Sequence, residues 1–202
     1  MDGGVGDSKG GHMYYHASQT AGIKVLEPGI SNHGEPLVYF SRKRENTLVY
    51  LSNAVEKYCR ETGFEHCGSW YKWASYGFTR DGILLLQEYY PDATYETYKG
   101  VSGYIYSTNL LTDGKAQPDI PDAVIAGHPV PVENCEFIPD AYEAIMDAVG
   151  AGKMVLQRYE EMSGKMLDWL DRTIRNEYEK AADKPEYKHF LEGKFPFLEE
   201  LI

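Results

Sequence analysis

The spacing of apolar positions changes twice along the chain. Met13-Tyr14-Tyr15-His16 and Leu37-Val38-Tyr39-Phe40-Ser41 are short aromatic and β-branched runs, the pattern of strands. Between them, Ile23 and Leu26 fall at helical spacing and Pro28-Gly29 closes the stretch as a turn, leaving room for one helical turn at most. The period then lengthens. Leu48, Leu51, Val55 and Tyr58-Cys59 share one stripe and Gly63 supplies a stop, which predicts an amphipathic helix over roughly 45–62. Asp81-Gly82 divides SWYKWASYGFT from GILLLQEYY, a hairpin signal. TYETYKG fits helix and strand equally. SGYIYSTNL alternates as a strand, and AVIAGHPVPV and CEFI predict two closing strands, with Pro129 and Pro131 placing the first of them at an edge.

Beyond Pro139 the period is helical. Asp140 with Glu143 three residues on forms a capping box, and Ala141, Ile145, Ala148 and Val149 follow before Gly150-Ala151-Gly152 breaks the pattern. Val155, Tyr159, Met162, Met166, Leu170, Ile174 and Tyr178 then predict one long helix with a packing seam. Pro185 starts a last short helix that Pro196 interrupts. Strands lead and helices follow, so the expected class is α+β: a domain over 13–138 and a helical extension over 139–202 that covers its sheet. Residues 1–12, Gly-rich and polar, cannot bury enough apolar surface to order themselves; the His12-Met13 junction reads as a cloning scar, with Met13 as the native start.

Composition narrows the function classes. A net charge of −11 argues against a nucleic-acid backbone as the main partner, because phosphate binding needs a concentrated positive surface. SRKR, Ser41 to Arg44, is the one dense basic run; Arg42 and Arg44 could hold a pyrophosphate where the second strand meets the helix, or the run is a solvated loop. No apolar stretch is long enough to span a membrane and no signal peptide follows Met13, so the expected location is cytoplasmic. Cys59, Cys67 and Cys135 form an odd set that fits a reducing compartment; Cys59 and His66-Cys67 lack zinc-ligand spacing, so no metal is expected. Tyrosine, at 17 residues against 7 phenylalanines, suggests either a cleft with wet walls or half-buried sheet positions.

The order of these features carries a resemblance. A strand ending in His16-Ala17-Ser18, a turn with Ile23, Leu26 and Pro28, and Val38-Tyr39-Phe40-Ser41 leading into a helix resemble the mono- and poly-ADP-ribosyltransferases, the His–Tyr–Glu branch that includes diphtheria-toxin-like enzymes. YKGVSGYIYS and AVIAGHPVPVENCEFIPD are similar to that family's middle and closing strands, so the likeness covers roughly 13–140.

The resemblance implies a split antiparallel sheet and NAD as substrate. It implies that His16 meets a ribose hydroxyl or phosphate, that Ala17 and Ser18 let backbone groups pair with the nicotinamide amide, and that Tyr39 stacks on the ring. The family's glutamate has no clear counterpart at the start of AVIAGHPVPV. Asp122 stands there, Glu133 and Glu136 lie further on, and His128 could line the cleft. The RNA 2′-phosphotransferase branch of the fold uses several basic residues that have no place here. Each residue alone has a plainer reading: His16 as a satisfied strand-end histidine, Tyr39 as sheet packing. The expected function is therefore binding of NAD or a related small nucleotide, with a degenerate ADP-ribosyl transfer from NAD, to a protein acceptor for instance, in which Asp122 or Glu133 is the catalytic carboxylate. The alternative is a non-catalytic ligand- or protein-binding module that uses the same shell and the C-terminal helices.

Overall fold

A computed structural model describes residues 12–30, 35–71 and 75–201. Its strands are β1 (Tyr14–Ser18), β2 (Val25–Leu26), β3 (Gly29–Ile30), β4 (Pro36–Ser41), β5 (Ser75–Phe78), β6 (Leu84–Gln87), β7 (Gly103–Thr108), β8 (Lys115–Ala116), β9 (Ala123–Ala126), β10 (Val130–Pro131), β11 (Asn134–Ile138) and β12 (Met154–Gln157). Its α-helices are α1 (Ala54–Thr62), α2 (Ala93–Tyr98), α3 (Ala141–Gly150), α4 (Gly164–Lys180) and α5 (Pro185–Lys194), with 3₁₀ turns at Glu45–Tyr50, Tyr159–Glu161 and Pro196–Leu201. The class is α+β. Among the described residues, no helix is long and apolar enough to cross a membrane.

The central sheet runs β11-β7-β1-β4-β9-β8 with β3 added on β4, and its pairs are antiparallel. Strand alternation sends successive side chains to opposite faces. Ala17, Ile105 and Ile138 face a core completed by Leu48 and Leu51 from the 3₁₀ segment and by Ala141 and Ile145 from α3. Val38, Phe40, Tyr106, Val124 and Ala126 face the other way, under Leu26 and Val130 of the small β10-β2 ribbon. A third core joins α1, α4 and α5 through Val55, Cys59, Leu170, Ile174, Phe190 and Leu191. Within the C-terminal extension, α3 thus lies over the central sheet as expected, whereas α4 and α5 pack on α1 and its neighbours.

Three elements depart from the sequence pattern. The helix expected over 45–62 is interrupted, because Ser52 and Asn53 spend their side chains on turns: Ser52 donates to the Thr97 carbonyl at 2.7 Å, and the Asn53 oxygen caps α1 at the Glu56 amide at 3.5 Å. The long C-terminal helix starts only at Gly164, with Ser163 accepting from the Met166 amide at 3.4 Å. Val155 lies instead in β12, paired in parallel with β6 in the sheet β12-β6-β5; a short apolar run fits strand as well as helix, and the free edge of β6 decides. Last, the stretch around Ile23 and Leu26 forms the short strands β2 and β3, where one helical turn was expected. TYETYKG resolves as α2, and AVIAGHPVPV divides into β9 and β10 around Gly127-His128-Pro129.

Candidate functional site

β1 and β4 are adjacent, yet their ladder registers a single pair, Tyr15 opposite Ser41. Continuing that register puts His16 opposite Phe40 and Ala17 opposite Tyr39. The His16 ring spans the junction: Nδ1–H donates to the Tyr39 carbonyl at 2.8 Å, and the ring meets Phe40 edge-on at 6.2 Å between centroids. Burial disfavours the imidazolium and holds the His16 pKa below the ordinary histidine value, against the opposing pull of the Tyr39 carbonyl. His16 and Tyr39 therefore meet through ring and backbone. Their side chains leave opposite faces of the sheet.

The face that carries Tyr39 holds a second alignment. Glu136 on β11 pairs with Ile105 on β7, and Ile105 pairs with Ala17 on β1. Glu136, Ile105, Ala17 and Tyr39 thus form one transverse row on one face, about 14 Å across at three strand spacings. Leu48 and Leu51 pack over its middle, where Ala17 is small enough to leave them room.

At the Tyr39 end an aromatic mouth opens. Tyr50 closes the 3₁₀ segment and packs edge-on against Tyr76 of β5, with centroids 5.7 Å apart and the phenols hydrogen-bonded at 2.6 Å. Trp70 tilts over Tyr50 at 6.4 Å. Tyr50 and Trp70 expose 39% and 41% of their surface, so the mouth faces solvent. The Tyr50 phenol end is nonetheless desolvated, which, with Tyr76, Tyr98 and Tyr39 nearby, pushes its pKa well above the ordinary tyrosine value.

At the other end of the row, Arg44 grips Glu136 with two bonds, Nη2 to Oε1 at 2.6 Å and Nε to Oε2 at 2.7 Å. The remaining expected residues lie apart from the row. Asp122, at the start of β9 with φ 61°, pairs with Lys43 at 2.9 Å. Glu133 accepts from the Asn109 amide at 2.6 Å and the Thr108 hydroxyl at 3.4 Å, fastening a turn. His128 is exposed and bonds Asp113 at 2.7 Å; the Pro129 carbonyl and then Asp113 raise its pKa. Ser18 follows the His16 face, opposite Tyr104, and its hydroxyl accepts from the Thr20 amide at 3.1 Å. The Arg42 side chain is exposed, while its backbone amide donates to the Asp122 carbonyl at 2.8 Å.

Tyr50, Trp70 and Tyr76 escaped the sequence reading because Tyr50 sits within a run read as one helix, and Trp70 and Tyr76 come from a distant stretch. Glu136 carried a faint signal, three residues beyond Glu133 and inside β11, which Glu133 only precedes. Cys59 and Cys67 both touch Glu186, the first through its carbonyl at 3.8 Å and the second through Oε1 at 2.7 Å. No group of three metal-ligating side chains occurs among the described residues. A separate open cavity of about 550 Å³ is lined by Asp92, Tyr95, Tyr142, Arg158 and Glu160. In comparisons with known proteins, no family model matches the chain, and neither a curated protein nor a solved structure matches it.

Proposed function

We propose that the Tyr39 face binds a NAD-class dinucleotide and that the protein is an ADP-ribosyltransferase-like enzyme. The observation that supports this reading is what the margins of the transverse row hold on either side of its buried middle: aromatic rings at Tyr39 and Tyr50 at one margin, and the carboxylate of Glu136 at the other. A flat nicotinamide ring suits the mouth, since tyrosine faces stack well on aromatic ligands. Loss of nicotinamide breaks the bond from the sugar anomeric carbon to the ring nitrogen, and the bonding pair leaves with nicotinamide. The sugar is left oxocarbenium-like, and a carboxylate beside it stabilises that charge, as in glycoside hydrolysis. In this reading Glu136 takes the role first expected of Asp122 or Glu133; because it stands about 14 Å from Tyr39 along the row, the role requires the ligand's ribose to lie at the β11 margin, and His16 pegs β4 by its backbone.

NAD at about 100 times its dissociation constant should stabilise the chain by about 2.7 kcal/mol, read as a rise in Tm. Tyr39→Ala and Tyr50→Ala should each weaken that binding about tenfold, the size of a lost aromatic contact. Glu136→Gln should retain binding and lose nicotinamide release. A Tm indifferent to NAD, with no NAD consumed, would overturn the reading.

A further inference from the structure

We propose that Arg44 is a latch on Glu136 that an incoming diphosphate opens; the inference rests on the dinucleotide reading of the Tyr39 face and concerns how that site is switched on. Arg44 stands at the start of the 3₁₀ segment, on the face of the sheet that carries Glu136, and acts electrostatically with Tyr15 on β1 beneath it. Its fork takes both oxygens of Glu136, the geometry in which guanidinium and carboxylate bind most strongly. The neighbouring charges are committed elsewhere: Glu45 to Lys153 at 2.6 Å and Lys43 to Asp122 at 2.9 Å. Among the described residues Glu136 is the carboxylate that Arg44 pairs with directly, and Glu45 adds a longer-range electrostatic pull on the same guanidinium. Hydrogen bonding to Glu136, set against partial burial, keeps the guanidinium protonated more firmly than usual.

A carboxylate held this way is a poor stabiliser of a developing sugar cation. Its two inward lone pairs are spent, and a full positive charge lies against it. A ligand diphosphate offers the same fork a partner of higher charge, and arginine recognises phosphate as readily as carboxylate. Arg42 lies two residues away, exposed and, among the described residues, in no ion pair, so it adds a second cation for the same anion. Transfer of Arg44 from Glu136 to the diphosphate would bare the carboxylate only when a ligand is seated.

Two readouts test the latch. Carboxyl labelling with a carbodiimide and an amine, followed residue by residue by mass spectrometry, reports the bond directly. Glu136 should label slowly in the wild-type chain and about fivefold faster in Arg44→Gln, the scale of a well-formed surface pair. Inorganic pyrophosphate or ADP-ribose should accelerate wild-type Glu136 labelling and leave Arg44→Gln unchanged. Lys153→Gln, which frees Glu45 instead, is the control for general loosening. In turnover, Arg44→Gln should raise kcat for nicotinamide release while raising KM, and Arg44→Lys should fall between. Equal Glu136 labelling in wild type and Arg44→Gln, or a lower kcat in the variant, would overturn the latch. Pyrophosphate-dependent labelling in a chain that neither binds nor consumes NAD would instead sustain the latch and remove the transferase reading.

Discussion

The two faces of the central sheet are made by the same strands and finish differently. On the His16 side, Phe40, Tyr106 and Val124 expose 3% or less, and the β10-β2 ribbon closes over them. On the Tyr39 side, the 3₁₀ segment, α3 and the β12-β6-β5 sheet build a core over Ala17, Ile105 and Ile138 that stops short of the two margins of the row. Glu136 remains at one margin, with 51% of its side chain exposed, and Tyr39 at the other is half-buried. The contrast follows from a period of two. Neighbours such as His16 and Ala17, or Tyr39 and Phe40, enter different environments: Ala17 and Phe40 are buried in separate cores, while His16 and Tyr39 stay half-buried. His16, the residue with the most chemical character on its strand, falls on the Phe40 side and bonds the backbone of Tyr39.

The contrast is most exposed to test at Tyr39 and Phe40. Phe40→Ala should cost about 3–5 kcal/mol, the range for truncating a buried aromatic, measured as the denaturant midpoint at unchanged m-value. Tyr39→Ala should cost about 1 kcal/mol or less in stability while weakening NAD binding about tenfold. Equal losses at both positions would mean that the Tyr39 face is as closed as its counterpart. Gly103→Ala probes the join between the 3₁₀ segment and the sheet. An added Cβ would stand 2.6 Å from Leu51 Cδ2 and 3.2 Å from the Ser18 carbonyl oxygen. Leu51 can shift and the carbonyl cannot, so about 1–3 kcal/mol of overpacking strain is expected in thermal unfolding.

His16 gives a smaller effect with a defined sign. Its folded pKa lies below the ordinary value because burial opposes the charged ring. The unfolded chain then binds more protons than the folded one, so stability is full above about pH 6.5 and declines as pH falls toward the folded pKa. The slope contributed is at most about 1.4 kcal/mol per pH unit. His16→Gln should lose about 1 kcal/mol at pH 8, where one hydrogen bond is at stake, and should show a flatter decline between pH 7 and pH 5. An unchanged pH profile in the variant would show that the His16 ring is not desolvated.

Much of this arrangement was readable from spacing alone. The alternation of β1, β4 and β7, the Asp140 cap of α3 and the Leu170-Ile174-Tyr178 stripe of α4 are local patterns that packing left intact. The candidate residues His16, Ala17 and Tyr39 were legible as types, and adjacency of their strands follows from β1 and β4 pairing. Strand register was not legible, and register decides which face each residue takes. That is why Glu133, just before β11, and Glu136, within it, differ so much: Glu133 fastens the Asn109 turn, and Glu136 enters the row with Ala17. The break at Ser52-Asn53 and the strand around Val155 depended on distant partners, Thr97 and β6, which no local window contains.

The smallest expected effect is also the sharpest test of which carboxylate matters. Asp122 adopts φ 61°, a conformation that favours glycine, and its pair with Lys43 is half in solvent, with side-chain exposures of 46% for Lys43 and 28% for Asp122. Such a pair contributes about 1 kcal/mol or less. Asp122→Gly relieves the left-handed backbone while losing the pair, so the two changes offset and stability should stay within about 0.5 kcal/mol of wild type. Asp122→Ala loses the pair and keeps the strain, and should cost about 1–2 kcal/mol. Asp122 lies beside β9, four strands from β11 in the sheet order, roughly 19 Å from Glu136 at ordinary strand spacing. Nicotinamide release should therefore survive Asp122→Gly and vanish in Glu136→Gln. The reverse outcome would move the reactive carboxylate to the β9 side and leave the Glu136 row as packing.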